Sequence, residues 1–389
     1  MSPTLPPLAP EEWAAHSGIT LLRTIATAVI DLADLDSLES FVLPYPAEAQ
    51  RALDRTVLRC LLRGAEPPRS LPDLLSWCRE RPVADWPLHL PEDAVAPDHF
   101  LLDPVSGAPT ELCHEWALKT RDSAGRQYDR LVVHSAMQLC RQAGAPESYT
   151  AFRRLLVEQP VLTANDYFRV ATDHLLEPVR DLVEQIYEPV PDGYLDRGCY
   201  TTCRRCLTLL TPLADGGWWC ERDQCRKQGT PVPGPALVAQ KTGQLHQLAR
   251  PLRQFVTGPG RAELDLEAGL RSLRLQVEMW PGFDAYDLRI TFPDGHVWAV
   301  DVKDWANPAL LGREAAPVRP EPPYDEAFWV VPRHRVDARP GYLAVYRRNR
   351  PEGARRLPLL TDRELLKAAK RRLRDVTHGL ISEKGISDA

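Results

Sequence analysis

The sequence predicts an α plus α/β protein in three segments: a helical N-terminal region over residues 1–195, a four-cysteine zinc ribbon over 196–232 and a mixed-sheet α/β domain over 236–389. Three observations carry that division. Apolar residues recur at helical spacing through the N-terminal region, four of the nine cysteines stand in two close pairs, and a two-residue alternation begins just after Asp287. A chain of 389 residues is long enough for two or three domains with cores of their own.

The helical expectation runs from Pro10 to about Tyr194. Leu21–Ile30, Ala47–Leu62, Leu131–Cys140, Tyr149–Glu158 and Val170–Tyr187 place apolar residues three and four apart, with Pro or Gly between the runs. No internal repeat is visible. Cys113-His114, Cys60, Cys78 and Cys140 lack a second pair at ligand spacing, so they are expected in cores.

The ribbon rests on Cys203-x2-Cys206-x13-Cys220-x4-Cys225. Two turns with paired thiolates, joined by a short hairpin, are what a tetrahedral Zn²⁺ requires, and four ligands fill its shell, so the predicted site is structural. Cys199 lies outside the Cys-x2-Cys turn and is left out of the set. Disulfides are not expected, since no signal peptide or membrane-spanning apolar run is visible and a reducing cytoplasm is the default. Arg204, Arg205, Arg222, Arg226 and Lys227, with Trp218 and Trp219, surround the cysteines. That set suits nucleic-acid contact, a solvated module with a tryptophan mini-core, or a protein-docking surface. Thr230–Pro235 reads as a stiff connector.

In the α/β segment, Leu288, Ile290 and Phe292 alternate with Arg289 and Thr291, Pro293-Asp294-Gly295 supplies a turn, and Val297–Val300 resumes an apolar run. These are two strands. Asp287 opens the first, while Asp301 and Lys303 share one face at the end of the second, because side chains alternate along a strand. Oxygen-only ligands suit Mg²⁺ or Mn²⁺, so Asp287 and Asp301 are the expected metal ligands, with the Val302 carbonyl available as a third. Lys303 would orient or help deprotonate a water and screen charge building on phosphorus, the chemistry of phosphodiester hydrolysis without a covalent intermediate. A hairpin ending in a solvated Asp–Lys pair would carry the same string. What favours the metal site is the amphipathic stretch before it, entered at Pro259-Gly260, with Leu264, Leu266 and Leu270 apolar and Glu263 and Glu267 one turn apart. Either glutamate can hold a water or a second ion. Asp284 and Asp304 are expected to face away.

The helix acid, Asp287 and Asp301-x-Lys303 resemble the PD-(D/E)xK restriction-endonuclease-like superfamily. More narrowly, Val277-Glu-Met-Trp-Pro-Gly-Phe-Asp-Ala-Tyr-Asp287 and Trp298-Ala-Val-Asp-Val-Lys-Asp-Trp-Ala-Asn-Pro308 resemble the restriction-endonuclease-related protein of the prokaryotic PIWI-associated (pPIWI-RE) defence module, over roughly Tyr149 to Arg335. The resemblance implies a restriction-endonuclease-like mixed sheet and a Mg²⁺-dependent DNA endonuclease that acts with a PIWI-type protein and a helicase against phage or plasmid DNA. Its Pro-Gly-x-x-Glu pattern falls on Glu263, giving Glu263, Asp287, Asp301 and Lys303 as the implied catalytic set. A place near the helix N-terminus would help keep Glu263 ionised.

The net charge of −5 argues against a chain that coats nucleic acid nonspecifically. Its distribution is uneven: Arg333 to Arg374 holds 14 Lys or Arg against 4 Asp or Glu, and Leu365–Arg374 is helical in pattern. Such polarity suits a nuclease with one DNA-facing side. Arg333, His334 and Arg335 follow the buried run Glu326–Pro332, either to reach a phosphate or to cap the strand toward solvent. The competing class is a non-catalytic DNA-binding or assembly subunit with a nuclease-like fold. A degenerate binder has no physical need for a lysine beside two carboxylates, which favours the enzyme.

Overall fold

The computed structural model describes residues 17–33, 45–117 and 124–387. The helical expectation for 10–16, 34–44 and 118–123 lies outside them. Contacts divide the chain into two compact units. The first gathers residues up to Arg126 with Trp305–Pro317 and Arg335–Arg356; the second gathers Gln127–Asp304, Val318–His334 and Leu357 onward. This division follows packing, whereas the segments 1–195, 196–232 and 236–389 follow element type and cysteine spacing.

The first unit is helical. Ser17–Ala33, Ala47–Leu62, Leu71–Glu80 and Glu111–Ala117 pack with Pro308–Arg313 and Tyr342–Asn349 around Leu22, Ile25, Leu74, Trp77, Trp116 and Leu310. Cys60, Cys78 and Cys113 are buried in this core, as expected. Two polar side chains tie distant segments together inside it. Glu115 accepts hydrogen bonds from the backbone N–H groups of Ala306 (2.5 Å) and Asn307 (2.8 Å). Asn307 then caps the Pro308–Arg313 helix by accepting from Ala309 and Leu310, with Pro308 at the first helical position where no donor is needed.

The second unit is built on a five-stranded mixed sheet. It contains β8 (Gln276–Met279), β9 (Leu288–Thr291), β10 (Val297–Val302), β11 (Glu326–Val331) and β12 (Leu359–Thr361), in the order β12-β11-β10-β9-β8. The β8–β9 and β9–β10 pairs are antiparallel, and β10–β11 and β11–β12 are parallel. The Pro293–Gly295 turn expected from sequence joins β9 to β10, with Gly295 at φ +83°. Trp298 and Val300 of β10 join Ile290, Phe328 and Val330 in the core with Leu266 and Leu270 of the Gly258–Ser272 helix and Leu365 of the C-terminal helix. Alternation puts Asp301 on the other face, and its register partner is Trp329 of β11. The C-terminal helix begins at a reciprocal cap in which the Glu364 N–H donates to Thr361 Oγ1 and the Thr361 N–H donates to Glu364 Oε2.

A smaller antiparallel sheet of β1 (Val161–Leu162), β7 (His246–Leu248) and β2 (Tyr187–Pro189) lies in the same unit. The ribbon is formed by β3 (Cys199–Cys203) with β6 (Pro233–Val238) and β4 (Leu210–Pro212) with β5 (Trp218–Cys220). Here the expected connector is corrected. Residues from Pro233 on form β6 and pair with β3, which prolines allow in a two-stranded edge where half the backbone donors face outward. The expected helix over Val170–Tyr187 is also broken, into Ala164–Ala171, a 3₁₀ stretch His174–Val179 and Arg180–Ile186. Asp173 caps the 3₁₀ stretch through the Leu175 N–H, and Pro178 cannot continue an α-helical ladder. No helix among the described residues is long and apolar enough to cross a membrane.

Replacing Glu115 by Ala should leave one buried and one partly buried backbone donor unpaired and cost about 2–3 kcal/mol, read as a lower urea midpoint for the unfolding transition. A wild-type midpoint would show that these bonds do not stabilise the unit.

Candidate active site

The β9–β10 hairpin places the acids. The Asp287 N–H donates to Val300 O at 3.1 Å, and its side chain turns along β10 to accept the Val302 N–H at 2.6 Å, so the carboxylate is fixed by the strand it faces. Lys303 continues the parallel ladder through its N–H to Val330 O at 2.7 Å. Its Nζ sits 2.9 Å from Asp301 Oδ2 and 5.1 Å above the Trp329 ring, which limits how far the ammonium can swing. Both side chains are partly open, 25% exposed for Lys303 and 20% for Asp301.

Of the two glutamates on the Gly258–Ser272 helix, Glu263 joins this group. It accepts the Trp280 indole N–H at 2.6 Å and lies 3.6 Å from Arg153. Glu267 is engaged elsewhere, 2.5 Å from Arg154 and 2.9 Å from Arg271. The reason given for Glu263 from sequence needs correction. The helix does not start at Pro259-Gly260 but runs in from Arg250 through a π-helical turn over Arg253–Thr257, so Glu263 lies away from any free helix N-terminus. Burial raises its pKa above the usual carboxylate range, Arg153 opposes that, and Asp284 adds to it.

Asp284 is the second correction. It does not face away: its carboxylate accepts the Tyr149 hydroxyl at 3.0 Å and lies 3.7 Å from Arg153. The alternation rule fails because Trp280, Gly282, Phe283 and Asp284 all have positive φ, between +49° and +68°, so the chain between β8 and β9 is a left-handed turn rather than strand. Such conformations cost roughly 1–2 kcal/mol per non-glycine residue and persist where surrounding contacts hold them. Gly282 meets that requirement without a side chain, and a Cβ there would lie 2.8 Å from Pro322 Cδ.

Four carboxylates therefore share one neighbourhood with two cations, Lys303 and Arg153. Burial first, then the charges of Glu263 and Asp301, push the pKa of Asp287 well above the carboxylate range. Burial pulls Lys303 down, yet Asp301 and Asp287 outweigh it and hold the ammonium above its ordinary pKa. Oxygen donors in excess of local positive charge are the environment that suits a hard divalent ion keeping several waters, so the residues present fit Mg²⁺ or Mn²⁺. Tyr149, Arg153 and Trp280 were not selected from sequence. A lone arginine or tyrosine in a helical run carries no mark of the partner it meets more than a hundred residues later.

Four cysteines converge as their spacing predicts. The sulfurs of Cys203, Cys206, Cys220 and Cys225 are buried and lie within 4.8 Å of one another, with Cys206 and Cys220 3.5 Å apart. Zn–S bonds of about 2.3 Å put tetrahedral sulfurs roughly 3.8 Å apart, so this cluster fits zinc. Among the described residues, no other set of three or more His, Cys, Asp or Glu gathers its ligand atoms so closely, and the acid centre is correspondingly more open. Cys199 lies outside the cluster.

Several basic residues noted around the ribbon are used internally. Arg205 donates to the carbonyls of Cys225 (2.6 Å) and Gln228 (3.3 Å), Arg226 binds Asp223 at 2.6 Å and stacks over Trp219, and Arg222 is buried. Arg204 and Lys227 stay exposed. Arg335 is buried in the first unit, 2.7 Å from Glu111, rather than capping the strand toward solvent. Asp304, beyond the end of β10 at Val302, lies 3.4 Å from His334 and 3.8 Å from Arg222. Within the basic run Arg333–Arg374, Arg335–Arg356 belong to the first unit and the rest to the second. In the second unit, Arg363, Lys367, Lys370, Arg371 and Arg374 are exposed along the C-terminal helix.

A family model described as the pPIWI_RE three-gene island domain Y matches residues 21–163, and one described as a REase associating with pPIWI_RE matches residues 260–377. The second match contains Glu263, Asp284, Asp287, Asp301 and Lys303; Tyr149 and Arg153 lie in the first. No curated protein and no solved structure matches the chain.

Reduced, undamaged protein should carry about one Zn²⁺ per chain, and Cys220→Ser should lose it. Metal analysis that finds no zinc in such protein would refute the four-cysteine site.

Proposed function

Because the chain belongs to the REase family associated with pPIWI_RE, we propose that it is a metal-dependent DNA endonuclease whose centre is Glu263, Asp287, Asp301 and Lys303 on a restriction-endonuclease-like sheet. The observation that carries this reading is the buried surplus of carboxylate beside a lysine held in place by Asp301 and Trp329. A surplus of that kind costs several kcal/mol to maintain unless a cation or proton relieves it.

In this reading Asp287 and Asp301 hold Mg²⁺ or Mn²⁺, which when bound would supply Lewis acidity toward a phosphate oxygen. The protein's own groups do the rest. The Val302 N–H fixes the orientation of Asp287, leaving its second oxygen for the ion. Lys303, cationic beside Asp301, places positive charge where negative charge builds during attack on phosphorus and orients the attacking water by hydrogen bonding. Glu263 accepts from Trp280 and keeps its other oxygen for a water or second ion. Arg153 lies against Glu263 and Asp284 and sets their positions.

The ribbon, with zinc in its four-cysteine site, serves as a structural element. The exposed basic stripe on the C-terminal helix suits the DNA backbone. The family's association suggests a defence role with a PIWI-type protein, and with a helicase of the same module, in the cytoplasm against phage or plasmid DNA. A non-catalytic role would account neither for the excess of carboxylate over cation nor for the partial opening of Asp301 and Lys303.

Lys303→Ala should abolish Mg²⁺-dependent nicking of plasmid DNA, with a loss on the order of 10²-fold or more, in protein that still folds cooperatively and keeps its zinc. Glu263→Gln should slow cleavage strongly, whereas Glu267→Gln should change it by less than about tenfold, given its ion pairs with Arg154 and Arg271. Equal nicking by wild type and Lys303→Ala, with and without the partner proteins, would sink the assignment.

A further inference from the structure

Resting on the nuclease reading, we propose that the cysteine ribbon is a clamp on the acid centre and that Arg222 is the positioning residue through which it acts. Arg222 stands between Cys220 and Cys225, so its backbone is fixed by the sulfur cluster. Its side chain leaves the ribbon, is only 8% exposed, and reaches two elements that carry the centre.

The first is the helix of Glu263. Within the π-helical turn ahead of it, the Gly258 N–H bonds to Arg253 O, five residues back. The same pattern would pair Gln254 O with residue 259, which is proline and has no N–H. Arg222 Nη1 donates to that carbonyl at 3.1 Å. It can do so only because residue 258 is glycine: a Cβ there would fall 1.1 Å from Arg222 Nη1. Beside it, Glu221 makes a two-point ion pair with Arg253, at 2.7 and 2.9 Å. Consecutive residues of the second cysteine turn thus dock onto the turn that leads into the Glu263 helix.

The second element is the strand end. Arg222 Nη2 lies 3.8 Å from Asp304 Oδ2, and the other oxygen of Asp304 is 3.4 Å from His334 Nε2. Asp304 is 4% exposed and directly follows Lys303. One guanidinium therefore spans the helix that positions Glu263 and the strand that positions Asp301 and Lys303. Buried charges of this kind give geometry more than net stability, and a misplacement of about 1 Å can cost on the order of 10² in rate. The docking of the ribbon through Arg222 then sets the register of the acid centre.

The test uses the full-length chain with Arg222→Gln, Asp304→Asn and the double variant. Zinc content and thermal unfolding verify the fold, Mn²⁺ affinity is read by electron paramagnetic resonance, and DNA cleavage is resolved into kcat and KM. Each single variant should keep its zinc, bind Mn²⁺ about tenfold more weakly and lose about tenfold in kcat at unchanged KM. The double variant should be no worse than Arg222→Gln alone, because Asp304→Asn removes only a contact that Arg222→Gln already removes. If Arg222→Gln fails to fold, Asp304→Asn and Arg222→Lys, which keeps the charge without the planar fork, carry the test with the same expected direction. Zinc-loaded variants with wild-type Mn²⁺ affinity and kcat would overturn the clamp, as would losses that multiply in the double variant. A wild-type chain that binds Mn²⁺ but cuts no DNA would remove the nuclease reading, while the Mn²⁺ affinities of the variants would still decide the clamp.

Discussion

Carboxylates gathered at one end of a sheet repel one another, and much of the second unit is arranged to hold Glu263, Asp284, Asp287 and Asp301 together against that repulsion. The means are local and identifiable. The hairpin fixes Asp287 by a backbone donor from the neighbouring strand, the indole of Trp280 fixes Glu263, and Arg153 lies against both Glu263 and Asp284. The left-handed turn at Trp280–Asp284 is conformationally expensive, and it is the feature that swings Asp284 and Trp280 toward the helix acid. Two cations against four carboxylates leave a deficit that a divalent ion would make good, so the arrangement that is costly in the bare protein is the one suited to binding.

The ribbon has a place in the same logic. A small four-cysteine module has little apolar core, and its stability comes chiefly from the metal it can hold. In this protein its second turn also sends Glu221 and Arg222 into the adjoining helix and strand end. The missing N–H of Pro259, the missing side chain of Gly258 and the guanidinium of Arg222 are complementary. Each would be unfavourable in an ordinary helix, and together they satisfy one another.

Much of this was legible in the sequence because periodicity and spacing report local geometry. Alternation around Leu288–Val300 marks the hairpin and the shared face of Asp301 and Lys303, and cysteine spacing marks the cluster that the fold assembles. What sequence missed depends on contacts between distant residues or on backbone that obeys neither period. Strand alternation gives the wrong side for Asp284 because the chain there is a left-handed turn. Thr230–Pro235 reads as a connector because prolines read as punctuation, although one strand edge tolerates them from Pro233 on. Pro259 reads as a helix start, whereas a π-helical turn just before it carries the helix in from Arg250. Charge counting along Arg333–Arg374 does not show that the run is divided between the two units.

The account stands or falls on whether the buried acids form a divalent-cation centre. Titrating zinc-loaded wild-type protein and Asp287→Asn with Mn²⁺ measures this most directly, with the bound ion followed by its paramagnetic signal. The account predicts a Mn²⁺ site in wild type that Mg²⁺ displaces and that Asp287→Asn weakens by about tenfold or more, the effect of losing one charged ligand. Identical binding by the two proteins, or no Mn²⁺ bound by wild type, would contradict it.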